Sequence, residues 1–238
     1  MSVDSQILAQ FYASPQGAVV ARLLRQRMWK IWPDLRGQSL LGIGYTLPYL
    51  RGPLAFGMVE RCAQFSPSQI GPATFPVAAA GLSCVGEEER LPFPDLSFDR
   101  IMLIHGLEVS ENARRLLREV WRVLKDDGRL LVVAPNRRGM WAHVDSTPFG
   151  QGQPYSPGQI NRLLQAGFFR IEHRDTALYM PPSRLRMVLR SAHFCERSGR
   201  FLAPHLAGVT ITEASKDLYN VIPLGAASAR RVVVTESL

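Results

Sequence analysis

Two short apolar runs, Asp99–His105 (DRIMLIH) and Leu130–Ala134 (LLVVA), flank a stretch, Ser110–Leu124, in which Leu116, Leu117, Val120, Trp121 and Leu124 recur at helical spacing. A strand that is apolar on every residue must be covered on both faces, and a helix between two such strands is the crossover that joins parallel neighbours. The pattern therefore predicts an α/β chain: a doubly wound, mainly parallel sheet with helices on both faces. In such sheets the ligand crevice lies beyond the carboxyl ends of the strands.

The rest of the chain is read on the same terms. Residues 5–32 predict helix, with Ser14 able to cap, Pro15 at a first helical position, and Val20, Leu23, Leu24 and Met28 on one stripe. Leu40–Gly44 predicts a buried strand, Leu54–Val59 a second strand ending at Glu60, and Leu82–Val85 a third. Residues 62–80, rich in Pro, Ala and Ser, show no period. The Asp126-Asp127-Gly128 segment is expected to end the central helix. Tyr155–Ala166 predicts a helix capped by Ser156, Phe168–Leu178 a strand, Ser183–Arg197 a helix, and Val209–Leu218 and Arg231–Thr235 late strands. These spans divide the chain into an N-terminal helical cap, 1–36, and an α/β domain, 37–238, with a helical insertion near 181–198.

Composition narrows the function classes. With 238 residues and 46% apolar content, a sizeable core can be buried. No run approaches the roughly 18–20 apolar residues of a membrane span, and Asp4 stands where a secretory leader would be basic, so the expectation is a cytoplasmic chain without a membrane span. Cys62, Cys84 and Cys195 form no CxxC pair, which points to no metal site. The net charge is +8, yet the arginines are scattered, and their densest groups fall on amphipathic helices whose solvated faces explain them. Nucleic acid is therefore disfavoured as a partner. No phosphate loop or complete dinucleotide fingerprint is present, which disfavours ATP and NAD.

Asn136–Pro154 runs about twenty residues without clear periodicity, long for a loop in a compact domain. It leaves the carboxyl end of a core strand and carries Trp141, His143 and Phe149. It can be a lid over the crevice, with Asn136, Trp141, Phe149 and Tyr155 on the substrate side, or an Ω-like loop packing its own aromatics; the lid reading is favoured here.

The segment GEEERLPFPDLSFDRIMLIHGLE, followed by LLREVWRVLKDDGRLLVVAPN and later LLQAGF, resembles the class I S-adenosylmethionine-dependent methyltransferases over about residues 38–178. The stretch DSTPFGQGQPYSPGQI is similar to a bacterial subgroup of that family whose substrate is unassigned. The resemblance implies a seven-stranded sheet, an N-terminal helical lid, and methyl transfer to a small molecule or protein side chain. It implies that Gly42, Gly44 and Tyr45 form the cofactor turn, that Glu60 accepts the ribose hydroxyls, that Glu87 with Glu88 serves the adenine side, and that His105 lines the floor. Methyl transfer from a sulfonium mainly needs alignment. A base is required only for a protonated acceptor, with His105 and His143 as candidates.

The family turn, D/E-x-G-x-G-x-G, is altered here to Gly42-Ile43-Gly44-Tyr45-Thr46-Leu47-Pro48. The acid is missing and two glycines are replaced. S-adenosylmethionine is thus expected to bind weakly or not at all, in a partly blocked crevice. The alternative reading is a methyltransferase-like protein that no longer catalyses and acts through a protein partner.

Overall fold

The computed structural model describes residues 4–55, 57–72 and 82–218. Seven strands form one sheet: β1 (Ser39–Gly44), β2 (Arg61–Pro67), β3 (Leu82–Gly86), β4 (Phe98–Ile104), β5 (Leu124–Pro135), β6 (Phe169–Ala177) and β7 (Val209–Lys216). Their order is β3-β2-β1-β4-β5-β7-β6. The pairs among β1 to β5 are parallel, and β7 runs antiparallel to both β5 and β6.

Strand side chains alternate between two cores, as the pleat requires. Leu41, Ile43, Leu130 and Val132 meet α4 (Ala113–Val123) and α5 (Pro157–Ala166) on one face. Leu40, Leu131 and Val133 meet α2 (Pro15–Ile31) on the other, with α3 (Leu47–Ala55), α6 (Arg186–Arg190) and α7 (Ala192–Leu202) also contributing. The expectation of a mainly parallel sheet covered on both faces holds.

The N-terminal stretch is two helices rather than one. α1 (Ser5–Ala13) ends at Ser14, whose side chain caps α2 by accepting from Gly17 N. The corner is tight enough that a Cβ at residue 17 would collide with the Phe11 carbonyl, so glycine is required there.

Three further expectations are corrected. Leu54–Val59 is not the second strand: α3 extends through Ala55, and β2 (Arg61–Pro67) begins one residue before the stretch 62–80 that shows no period. A short apolar run has no intrinsic period that separates strand from helix end. Asp126-Asp127-Gly128 does not end the central helix but lies within β5, which starts directly after Val123; pairing with β4 shifts register between Phe98 and Arg100. The helix expected over Ser183–Arg197 breaks at Ser191 into α6 and α7. Arg231–Thr235 lies outside the described residues.

Candidate functional site

The parallel sheet reverses its winding between β1 and β4, the switch point beyond whose carboxyl ends sheets of this kind hold their ligand crevice. Its floor is the turn after β1. Gly44 has φ 92°, and a Cβ there would strike the Ile104 carbonyl of β4; only glycine lets the two strand ends approach so closely. Tyr45 N then donates to Ile104 O at 2.8 Å, locking the turn to β4.

The other side of the crevice opens with His105, the residue after β4. It is buried and held in the left-handed region, φ 56°, a strained setting for a residue with a side chain. Its Nδ1 is 3.1 Å from Glu108 Oε1, and its Nε2 is 2.7 Å from the Tyr12 hydroxyl of α1. Glu108 is buried and its second carboxylate oxygen has no hydrogen-bond partner. The network closes if His105 Nδ1–H donates to Glu108, Nε2 accepts from Tyr12, and Tyr49 donates to Tyr12 across 2.8 Å. Burial, before the neighbouring Tyr49 and Glu108, holds the Tyr12 phenol well above its ordinary pKa, so it stays a neutral donor.

Aromatic rings fill the space around this chain. Tyr12 stacks on Tyr45, and Phe149 stands 4.8 Å from the His105 ring centroid. Phe11 of α1 meets Phe149 edge-on. α1 therefore lies across the carboxyl ends of β1 and β4.

Behind the turn, Gln64 of β2 is fully buried. Its amide donates to Gly44 O at 2.6 Å and to Phe65 O at 3.1 Å, and its carbonyl accepts from Thr46 Oγ1. Farther along the strand ends, beyond β2 and β3, is an open cleft of about 500 Å³ lined by Ser68, Gln69, Glu87, Glu88, Glu89 and Glu111. Glu88 is buried there. One of its oxygens accepts from Ser110 Oγ at 2.7 Å, and the other has no hydrogen-bond partner.

The residues singled out from sequence are placed as follows. Gly42, Gly44, Tyr45, His105 and Phe149 come together at the crevice. Glu60 does not: it precedes β2 at the amino end of the sheet, its N–H donating to Gln38 O, because the strand it was expected to close is part of α3. Glu87 is exposed on the cleft while Glu88 turns inward, so the buried acid is one residue later than the principal expectation. His143 is exposed and its Nε2 is 3.1 Å from Arg137 O, leaving it no place beside His105.

The long loop is ordered by two short 3₁₀ turns, Met140–His143 and Pro148–Gly150. Trp141 is buried and donates to Met180 O, and Asn136 donates to Ala207 O and His205 O. Both are spent on structural bonds, so of this group Phe149 is the one in contact with His105. Tyr155 sits at the edge, donating to Leu107 O at 3.2 Å.

Sequence reasoning missed Tyr12, Tyr49, Thr46, Gln64 and Glu108. Glu108, three residues after His105, could have been found as an i, i+3 acid beside a histidine. Tyr12 could not, since 93 residues separate it from His105.

Comparison with known proteins agrees with the fold. A family model described as a methyltransferase domain matches residues 42–132. The chain is 27% identical over 158 residues to the demethylmenaquinone methyltransferase of Thermus thermophilus, covering 61% of this chain and 71% of that protein. It is 47% identical over 115 residues to the Thermotoga maritima enzyme of the same name, covering 46% and 48%. An uncharacterized Mycobacterium tuberculosis protein is 27% identical over 112 residues, 44% of this chain, which spans only 39% of that relative's length.

Among solved structures, an S-adenosylmethionine-dependent methyltransferase of Thermotoga maritima superposes with TM-score 0.56 at 14% identity, over 88% of this chain and 94% of its own. A chain from the complex of the Haloferax volcanii Trm112 methyltransferase activator with a methyltransferase gives 0.55 at 16% identity, over 87% and 91%. At such identities these structures speak for the fold alone. The methyltransferase-domain match over residues 42–132, and the seven-stranded sheet into which it is built, give this chain the fold of the class I S-adenosylmethionine-dependent methyltransferases.

Proposed function

We propose that the chain transfers a methyl group from S-adenosylmethionine to a small molecule whose accepting atom arrives protonated, and that α1 leaves the crevice to admit both ligands. The observation that carries this reading is the buried chain Glu108–His105–Tyr12. A carboxylate fixes the imidazole tautomer, and Nε2 faces a phenolic hydroxyl inside an aromatic box. With α1 withdrawn, an acceptor hydroxyl takes the place of the Tyr12 hydroxyl, and His105 receives its proton as the acceptor attacks.

The residues suit the cofactor at the adenosine end. Glu88 lines the open cleft beyond β3 and keeps one buried carboxylate oxygen without a hydrogen-bond partner, an acceptor that a small turn of the side chain would offer to an exocyclic amine; Gly42 and Gly44 are closed off by Thr46 and by the Ile104 carbonyl. The methionine end suits it only once Tyr12 has moved, since Tyr12 and Tyr45 stack there. When bound, the sulfonium supplies the electrophilic methyl group; the chain's own part is alignment, exclusion of water by Phe149, Tyr45 and Tyr49, and removal of the acceptor proton.

A second reading, a methyltransferase-like protein that has lost cofactor binding and catalysis and acts through a protein partner, is favoured by Gln64. Where a ribose would call for a carboxylate, a buried amide is committed to Gly44 O and Thr46. Calorimetric titration with S-adenosylmethionine and S-adenosylhomocysteine separates the two. Saturable binding by wild type or by Tyr12→Ala supports the enzyme, and absence of binding by both discards it.

A further inference from the structure

The helix α7 is built inside out. It turns Ala192, Glu196 and Gly199 toward the protein, with Gly199 packed so closely on Tyr179 that a Cβ would clash. Outward it presents Phe194 and Phe201, seven residues apart on one helix face and 73% and 87% exposed. Leu202 at 75%, and Met187 at 78% in the adjoining α6, extend the apolar surface. A chain that merely sheltered its sheet with this hairpin would bury such rings. Contiguous exposed apolar surface of this kind marks a contact face.

The charges around it have one sign. Between residues 181 and 206 the exposed ionised side chains are Arg184, Arg186, Arg190, Arg197 and Arg200, of which Arg200 is paired with the buried Asp175 at 2.6 Å, and the single acid of the stretch, Glu196, is buried. Arg197 and Arg200 also line a cleft of about 510 Å³ against α2, together with Arg27 and Lys30. A two-fold contact with a second copy would set arginine against arginine with no exposed acid from this stretch to separate them. Side chains that stand out from a helix corner, rimmed by arginine, match the boundary between acidic headgroups and acyl chains.

We propose that α6 and α7 dock this protein on an anionic phospholipid membrane, with Phe194, Phe201 and Leu202 entering the acyl boundary and the arginines on the headgroups. This goes beyond the methyl-transfer reading and stands whether or not the crevice is catalytic. Among the described residues no helix is long and apolar enough to cross a membrane, so the contact is one of surface attachment.

The test is co-sedimentation of the full chain with vesicles of phosphatidylcholine alone and of phosphatidylcholine mixed with phosphatidylglycerol. Binding is expected to the mixed vesicles only, and to fall with added salt. Phe194→Ser with Phe201→Ser should abolish it while leaving the thermal midpoint unchanged. Arg190→Ala and Arg197→Ala should each weaken partitioning about fivefold, and together about thirtyfold. No sedimentation with anionic vesicles, or sedimentation indifferent to both phenylalanines, overturns the proposal. So does a dimer in solution that the phenylalanine variants return to monomer, since the face then belongs to a second copy.

Discussion

Tyr12 of α1 lies face to face with Tyr45 of the β1–α3 turn, ring centroids 5.7 Å apart and planes inclined by only 13°. The cover of the crevice and its floor are thereby in direct contact, and the first prediction concerns their separation. Tyr12→Ala should raise the affinity for S-adenosylhomocysteine about tenfold, as when a minor open state becomes the dominant one. Tyr12→Phe, which keeps the ring, should gain much less. Calorimetry on the three proteins checks this, and equal affinities would mean that the ring is no obstacle.

His105→Gln should lower methyl transfer to a hydroxylated acceptor by about 10²–10⁴-fold, the usual contribution of a positioned base. Glu108→Gln should lower it less and alter the rate–pH profile, because an amide can hold the imidazole in the wrong tautomer. Initial rates across pH decide it. A Glu108→Gln profile that overlays wild type would remove Glu108 from the proton pathway.

Glu88 and Glu87 should behave oppositely despite being neighbours. Glu88→Ala leaves Ser110 Oγ and Asn112 N without their acceptor and should cost about 1–3 kcal/mol in urea denaturation, with weaker adenosyl-ligand binding. Glu87→Ala, at an exposed position, should change stability by less than about 0.5 kcal/mol. Equal effects would show that the two positions do not differ in role.

Glu196 makes stability depend on pH. Burial raises its pKa above the ordinary carboxylate value, against the opposing pull of Tyr179 N–H and Arg27. The folded protein then holds this proton more tightly than the unfolded chain. Its contribution is complete below the unfolded pKa and lost as pH rises through the folded one. Glu196→Gln keeps an acceptor for Tyr179 N and should flatten that decline in thermal melts run from acid to neutral pH. A slope unchanged by the substitution would assign it to another group.

What could be read in the sequence follows from how local its cause is. β4, α4 and α5 declare themselves because burial on both faces, a helical stripe and the Ser156 cap all act within one element. β2 hid because its buried residues include the polar Gln64 and Ser66, and Gln64 serves the turn after β1, through Gly44 O and Thr46 Oγ1, rather than an apolar core. The same cause displaced Glu60 from the site. Gly44 and His105 were legible as residues at strand ends; their covering by Tyr12, Tyr49 and Phe149 depends on chain segments that meet only in the folded protein.

The corner at Ser14, with α1 on one side and α2 anchored on the sheet on the other, has a kinetic meaning. Tyr12 sits two residues from this corner, so if α1 withdraws as proposed, the ring still faces its own socket at the effective concentration of a short tether, in roughly the millimolar range. Any ligand of the crevice competes with a permanently attached rival. Its effect is to raise the apparent Kd of any ligand by the reciprocal of the open fraction, which moves a hyperbolic saturation curve to higher concentration and leaves its shape unchanged.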